Sequence, residues 1–307
     1  QITGGSDAQY NTTLGGNAGD SFTGTDAASN TLIGYNSGTA ITSGDNNTAV
    51  GSGSLVANTT GSDNIAIGVN ALTANTTASY NTAVGTNCLD ATTTGAQNTS
   101  MGYNSMTSNT TGDYNTAVGY RALLNNTTAD NNTAIGWDSL KSSSTGASNT
   151  AVGRAALYSN TTASNNTAVG KDALTGNTTG ANNTAVGSAA LDANTTAGDN
   201  TAIGTNALTT NTTGDSNVAV GKDALLANTT AINNTAVGTD ALTTNSTGAS
   251  NTGIGANALN LNTTGNYNVA VGANALDANT TGANNTALGY EALTANTTAN
   301  NNVAIGS

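Results

Sequence analysis

Hydrophobic positions along this chain are sparse and evenly paced. The pentad Asn-Thr-Ala-Val-Gly recurs with its asparagine at Asn30, Asn47, Asn64 and Asn81 and onward to Asn302, every seventeenth residue without insertion. Numbered from that asparagine, the period reads N-T-A-V-G-x-x-A-L-x-x-N-T-T-G-x-x. A looser copy, Asn11 to Gly15, lies 19 residues before Asn30. Helical repeats need two helices and more than about 30 residues per unit, whereas a short glycine-rich, β-branched period suits one coil of a β-solenoid. The prediction is an all-β, parallel β-solenoid of 17-residue coils over 30–307, preceded by an irregular N-terminal cap or junction over 1–29 that carries Phe22.

Alternation within the pentad predicts which side chains face inward. Position 2 changes from threonine to Ile65, Val218, Val269 and Val303, and position 4 is always Val, Ile, Leu or Met. Positions 2 and 4 are therefore expected on the buried face of a short strand, with the leucine of position 9 (Leu55, Leu72, Leu123) opposite and the alanine of position 8 beside it. Positions 1, 3 and 5 then form an outward face of small groups. The glycines Gly51, Gly68 and Gly85 at position 5 imply a backbone angle or close approach that a Cβ forbids. Asn47, Asn64 and Asn81 at position 1 imply an asparagine ladder at a spacing of about 4.8 Å. One Val and one Leu per coil contribute roughly 3–6 kcal/mol, well below the cost of ordering 17 residues. Such a coil depends on its backbone ladders and on neighbouring chains, so the small outward face is read as the contact of a side-by-side homotrimer.

Composition narrows the functional classes. The chain has no proline or histidine, one cysteine, and 5 basic against 17 acidic residues, a net charge of −12. Disorder is the usual meaning of so polar a composition, but disorder does not keep aliphatic residues in phase. The negative charge disfavours nucleic acid. No stretch is apolar enough for a membrane helix, and a chain opening at Gln1 reads as a processed product or part of a longer one. Without histidine and with Cys88 alone, no metal site and no disulfide is expected. Cys88 stands at an alanine position and reads as a buried filler. Charges fall at positions 6, 7, 10, 16 and 17, the variable corners, where no acid-base pair gathers; no enzyme and no cofactor is expected.

The strings Asn64-Ile65-Ala66-Ile67-Gly68, Asn217-Val218-Ala219-Val220-Gly221 and Asn302-Val303-Ala304-Ile305-Gly306 resemble the head repeats of YadA-like trimeric autotransporter adhesins, and the related repeats of phage and viral tail fibres. The resemblance covers about nine-tenths of the chain, although the coil here is longer by its N-T-T-G segment. It implies a left-handed β-roll, three chains side by side, and a head that binds host surfaces or matrix proteins; glycan is a further partner class expected of this chain. On that basis the chain is expected to be the structural rod of an extracellular fibre, on a cell or a virion, and to be adhesive. Alternatives are a viral tail-fibre shaft, a head-to-tail filament subunit meeting its neighbour at the unfinished last coil, and an ice-binding protein. Against ice binding, the adjacent threonines at positions 13 and 14 of the period, such as Thr59 and Thr60, should point to opposite sides and leave one exposed rank. Expected partner contacts are the aromatic residues at position 6: Tyr35, Tyr103, Tyr120, Trp137 and Tyr290. Asn58-Thr59-Thr60 and its equivalents at position 12 are glycosylation sequons.

Overall fold

The computed structural model describes residues 9–22 and 26–306 and divides them between two compact units, one ending at Asn149 and the other beginning at Thr150. Each unit is a parallel β-solenoid, and no helix occurs among the described residues. The first carries β1 (Thr12–Leu14), β2 (Thr31–Ile33), β3 (Thr48–Val50), β4 (Ile65–Ile67), β5 (Thr82–Val84), β6 (Thr99–Met101), β7 (Thr116–Val118) and β8 (Thr133–Ile135). The second carries β9 (Thr150–Val152), β10 (Thr167–Val169), β11 (Thr184–Val186), β12 (Thr201–Ile203), β13 (Val218–Val220), β14 (Thr235–Val237), β15 (Thr252–Ile254), β16 (Val269–Val271), β17 (Thr286–Leu288) and β18 (Val303–Ile305). Within each unit a strand pairs in parallel with the strand one coil on, like residue facing like residue, as in Thr82↔Thr99 and Thr167↔Thr184.

The looser N-terminal copy joins the same ladder: Thr12 pairs with Thr31, and Asn11 Oδ1 accepts the Asn30 backbone N–H at 2.9 Å. Residues 11–14 thus continue the ladder from within the segment expected as a cap or junction. Residues 1–8 and 23–25 of the expected cap lie outside the described residues.

The strand alternation runs opposite to the expectation. Alanine at position 3 is the buried residue, fully enclosed at Ala49, Ala117, Ala185 and Ala236, as is the asparagine two residues before it at Asn47, Asn183 and Asn234. Positions 2 and 4 face outward: Ile65, Ile67, Ile135, Ile203 and Val269 are each about 40% exposed. The interior is instead assembled from the alanine of position 3, the alanine or serine of position 8 and the leucine of position 9, as in Ala117, Ala122 and Leu123, all sealed from solvent. A coil this narrow leaves room for a methyl group at the strand and no more, which is why position 3 holds Ala, Ser100 or Gly253 in nearly every copy. The β-branched outward residues suit the pleated surface without filling the core. With its small groups turned inward, the face invoked for close approach of neighbouring chains does not exist on the surface.

Two adjacent residues, at positions 8 and 9, both point inward, which a strand cannot do. The backbone achieves it by entering the left-handed region at position 9, with φ near +53° at Leu55, Leu72 and Leu242. Position 7 is left-handed too, at Asn70, Asn104 and Asp138. Asn and Asp tolerate that conformation best, so their abundance there has a backbone cause beyond a solvated corner. At position 5, Gly51 has φ +140°, and a Cβ on it would run into the Gly68 carbonyl of the next coil.

Candidate contact surface

Asparagine supplies two internal ladders that hold the outer surface in register. At position 1, the Asn115 backbone N–H and amide both donate to Asn98 Oδ1, at 2.9 and 3.1 Å, and the amide also donates to the Ala129 carbonyl. Asn47, Asn64 and Asn81 occupy this ladder in the first unit. The second ladder is at position 12: Asn75 donates to Asn58 Oδ1 at 2.9 Å and to the Ala78 carbonyl at 3.0 Å. Asn58, Asn75, Asn177 and Asn194 are fully buried there. The sequons built on them therefore offer no acceptor amide once the chain is folded. Their role is structural, a signal hidden in the sequence because Asn-Thr-Thr also spells a modification motif.

Position 6 lies outside these ladders, at the turn following the strand. Tyr103, Tyr120 and Trp137, from three successive coils of the first unit, meet in a row. The two tyrosine rings stack with centroids 5.7 Å apart and planes 9° from parallel, and Trp137 meets Tyr120 at 6.1 Å and 78°. Arg121 lies over the Tyr120 ring, 4.7 Å from its centroid, and grips Asp138 with two bonds, Nε to Oδ1 at 2.8 Å and Nη2 to Oδ2 at 2.6 Å. Asn87 donates to Asn104 Oδ1 at 3.2 Å in the same rank as Arg121. Sequence reasoning singles out the rings but misses Arg121 and Asp138 as their partners. The signal is available, since opposite charges at position 7 in consecutive coils must face each other.

Tyr35 and Tyr290 do not join the row. Tyr35 stands four coils away from Tyr103, over Gly16, and Tyr290 belongs to the second unit. A hydrogen bond to the Glu291 carboxylate, and then that group's charge, holds the Tyr290 phenol above its ordinary pKa. Other charges of the second unit also pair: Arg154 and Lys171 share Asp172, and Lys222 contacts Asp223 at 2.6 Å.

Cys88 is buried at position 8 and its thiol donates to the Ser100 carbonyl at 3.2 Å, the bond that Ser37 and Ser105 make from the same place in their coils. Burial is the main cause of its pKa being pushed up to about 11, so the thiol stays protonated near neutrality. Among the described residues no group of three potential metal ligands converges, and no helix is long and apolar enough to cross a membrane.

These features define a β-solenoid repeat protein. The sequence matches no protein-family model and no curated protein.

Proposed function

We propose that this chain is a structural element of an extracellular or surface fibre, that its copies associate side by side as a homotrimer, and that the fibre is adhesive. The observation that carries the reading is the outward rank at position 4, where Val169, Ile203, Ile254 and Leu288 stand about 40% exposed and the valines between them are partly exposed. A continuous apolar stripe of this length is what a protein contact surface leaves when seen alone. The contact assigned to the small face passes to this stripe, with the threonines of position 2 beside it. The adhesive part rests on the exposed row of Tyr103, Tyr120 and Trp137, and it applies equally to a cell-surface adhesin and a virion fibre.

Sedimentation velocity on the purified chain tests the assembly: three copies of the 29.7 kDa chain are expected, and a stable monomer at micromolar concentration overturns it. Binding of protein-coated beads to cells, matrix proteins and immobilised glycans tests adhesion. One specific observation favours a second reading, ice binding. Outward Thr150, Thr167, Thr184 and Thr201 form a regular rank on the strand face, beyond the position 13 and 14 threonines considered from the sequence. Thermal hysteresis of the purified chain would select it.

A further inference from the structure

We infer that the row formed by Tyr103, Tyr120 and Trp137, with Arg121 and Asp138, binds an uncharged, extended oligosaccharide. The inference rests on the adhesive reading above and names the partner's chemistry.

The rings are not needed to close the coil. Ser52 and Thr86 occupy position 6 elsewhere in the same unit, yet Leu55 and Leu89 beneath them are as completely buried as Leu123 and Leu140 beneath Tyr120 and Trp137. Nor is the row an accident of composition, since the chain has one tryptophan and nine tyrosines, and the tryptophan stands next in line to two of those nine at the same position. Between 43 and 54% of each ring residue is exposed, with ring-on-ring contacts holding them there. The two-point grip of Asp138 fixes Arg121 against Tyr120. The surface is thus organised before any ligand arrives, which lowers the ordering cost of binding.

Its chemistry alternates in a way that selects the ligand. A row of ring surfaces lies beside a strip of planar polar groups, Asn104, Arg121 and Asp138, with the Arg121 side chain 30% and the Asp138 side chain 14% exposed. A sugar offers both counterparts, a C–H face for a ring and hydroxyls for amide, guanidinium and carboxylate. A purely apolar ligand would take the Arg121–Asp138 pair out of water and return no polar contact for it. A polyanion is disfavoured because Asp138 already neutralises Arg121 and the chain as a whole carries −12. Protein hot spots rich in Trp, Tyr and Arg sit in desolvated pockets within an apolar core. Here the rings form an exposed ridge, 43–54% open to solvent, with Asn104, Arg121 and Asp138 next to them. Successive rings come from successive coils, so the ligand runs across the strands, following the stacking direction of the first unit.

Trp137 is the only tryptophan, so its fluorescence reports on this row alone. The full chain is titrated with cellohexaose, chitohexaose, xylohexaose and mannohexaose, and with a heparin hexasaccharide. A saturable change in Trp137 emission is expected with at least one neutral probe. Affinity should fall by about tenfold or more in Tyr103→Ala/Tyr120→Ala and stay unchanged in Tyr290→Ala. Circular dichroism and sedimentation should match the parent in both variants. No response to any neutral probe, or tighter binding of the heparin fragment, overturns the inference. If Tyr103→Ala/Tyr120→Ala/Trp137→Ala loses adhesion to a protein surface while no glycan binds, the glycan inference falls and the adhesive reading stands. If a hexasaccharide binds but the chain adheres to nothing, the inference stands and the adhesive reading falls.

Discussion

Position 10 shows how one residue type can oppose the coil that contains it. The usual occupant is threonine, whose hydroxyl donates to the position 7 carbonyl of the preceding coil, as Thr107 does to Asn87 at 3.1 Å and Thr209 to Ala189 at 2.9 Å. Asn260 does the same with its amide. Asp90 and Asp277 carry a carboxyl at that position in place of the hydroxyl or amide donor, and each has a buried Oδ1 with no hydrogen-bond partner. Burial holds the Asp90 carboxyl above the usual range, and Asp192 likewise, with the Asp172 charge adding to it. A carboxyl whose folded pKa is raised contributes fully below its unfolded value of about 3.9, and that contribution is lost as pH rises through the folded value. Asp223, held low first by its hydrogen bond to Lys222, has the opposite sign and loses its contribution as pH falls. Asp90→Thr restores the donor and removes the titration. Its denaturation midpoint should therefore exceed the parent's at pH 7 and converge on it near pH 3, and a constant difference across that range would refute the account.

At the scale of the coil, the period and most of its assignments are legible because each position meets one fixed environment. The glycine of position 5, the leucine of position 9 and the asparagine of position 1 can be read from their recurrence. The inward face is misread because Ile65 and Val218 in place of threonine look like burial. The better signal is the size limit at position 3, where Ala yields only to Ser100, Gly253 and, once, Leu32. That exception is informative. In the Leu32 coil, position 9 is Gly38 and not leucine, and position 12 is a fully buried Ile41. A Cβ on Gly38 would press on both Leu32 methyls and on Ile41. The leucine has moved across the interior, from position 9 to position 3, and Ile41 stands where the usual coil has asparagine. Gly38 has φ +56°, close to the +53° of Leu55, so its backbone already accepts a leucine. Leu32→Ala should cost about 3 kcal/mol through the cavity it opens, and Gly38→Leu alone should destabilise by overpacking. Together, Leu32→Ala/Gly38→Leu should recover most of both losses. Chemical denaturation of the four proteins gives the coupling directly, and additive losses would show that the two sites do not share one space.

For the whole molecule, two solenoid units built on one uninterrupted period raise the question of what covers the outward strand face. The contact surface is legible only in part: the rings can be named, but their grouping needs the coil-to-coil contacts, and the apolar rank needs the corrected alternation. Fully burying a Val or Ile contributes about 1.5–3 kcal/mol, so covering the remaining 40% at position 4 is worth on the order of 0.5–1 kcal/mol per coil. Half of the ten strands in the second unit expose less than this at position 4, so the sum comes to roughly 5 kcal/mol, at the low end of the cost of bringing chains together. Association is thus within reach of this rank, and sensitive to a few of its members. Val186→Lys/Val220→Lys places two charges on outward positions of β11 and β13 without touching Ala185, Ala219 or the buried leucines. The isolated unit should tolerate the change, since neither side chain fills the interior, and circular dichroism should be unaltered. The sedimenting mass should fall from that of the assembly to that of one chain at micromolar concentration. An assembly that survives both lysines must be held by a different face, and the position 4 rank would then need another occupant.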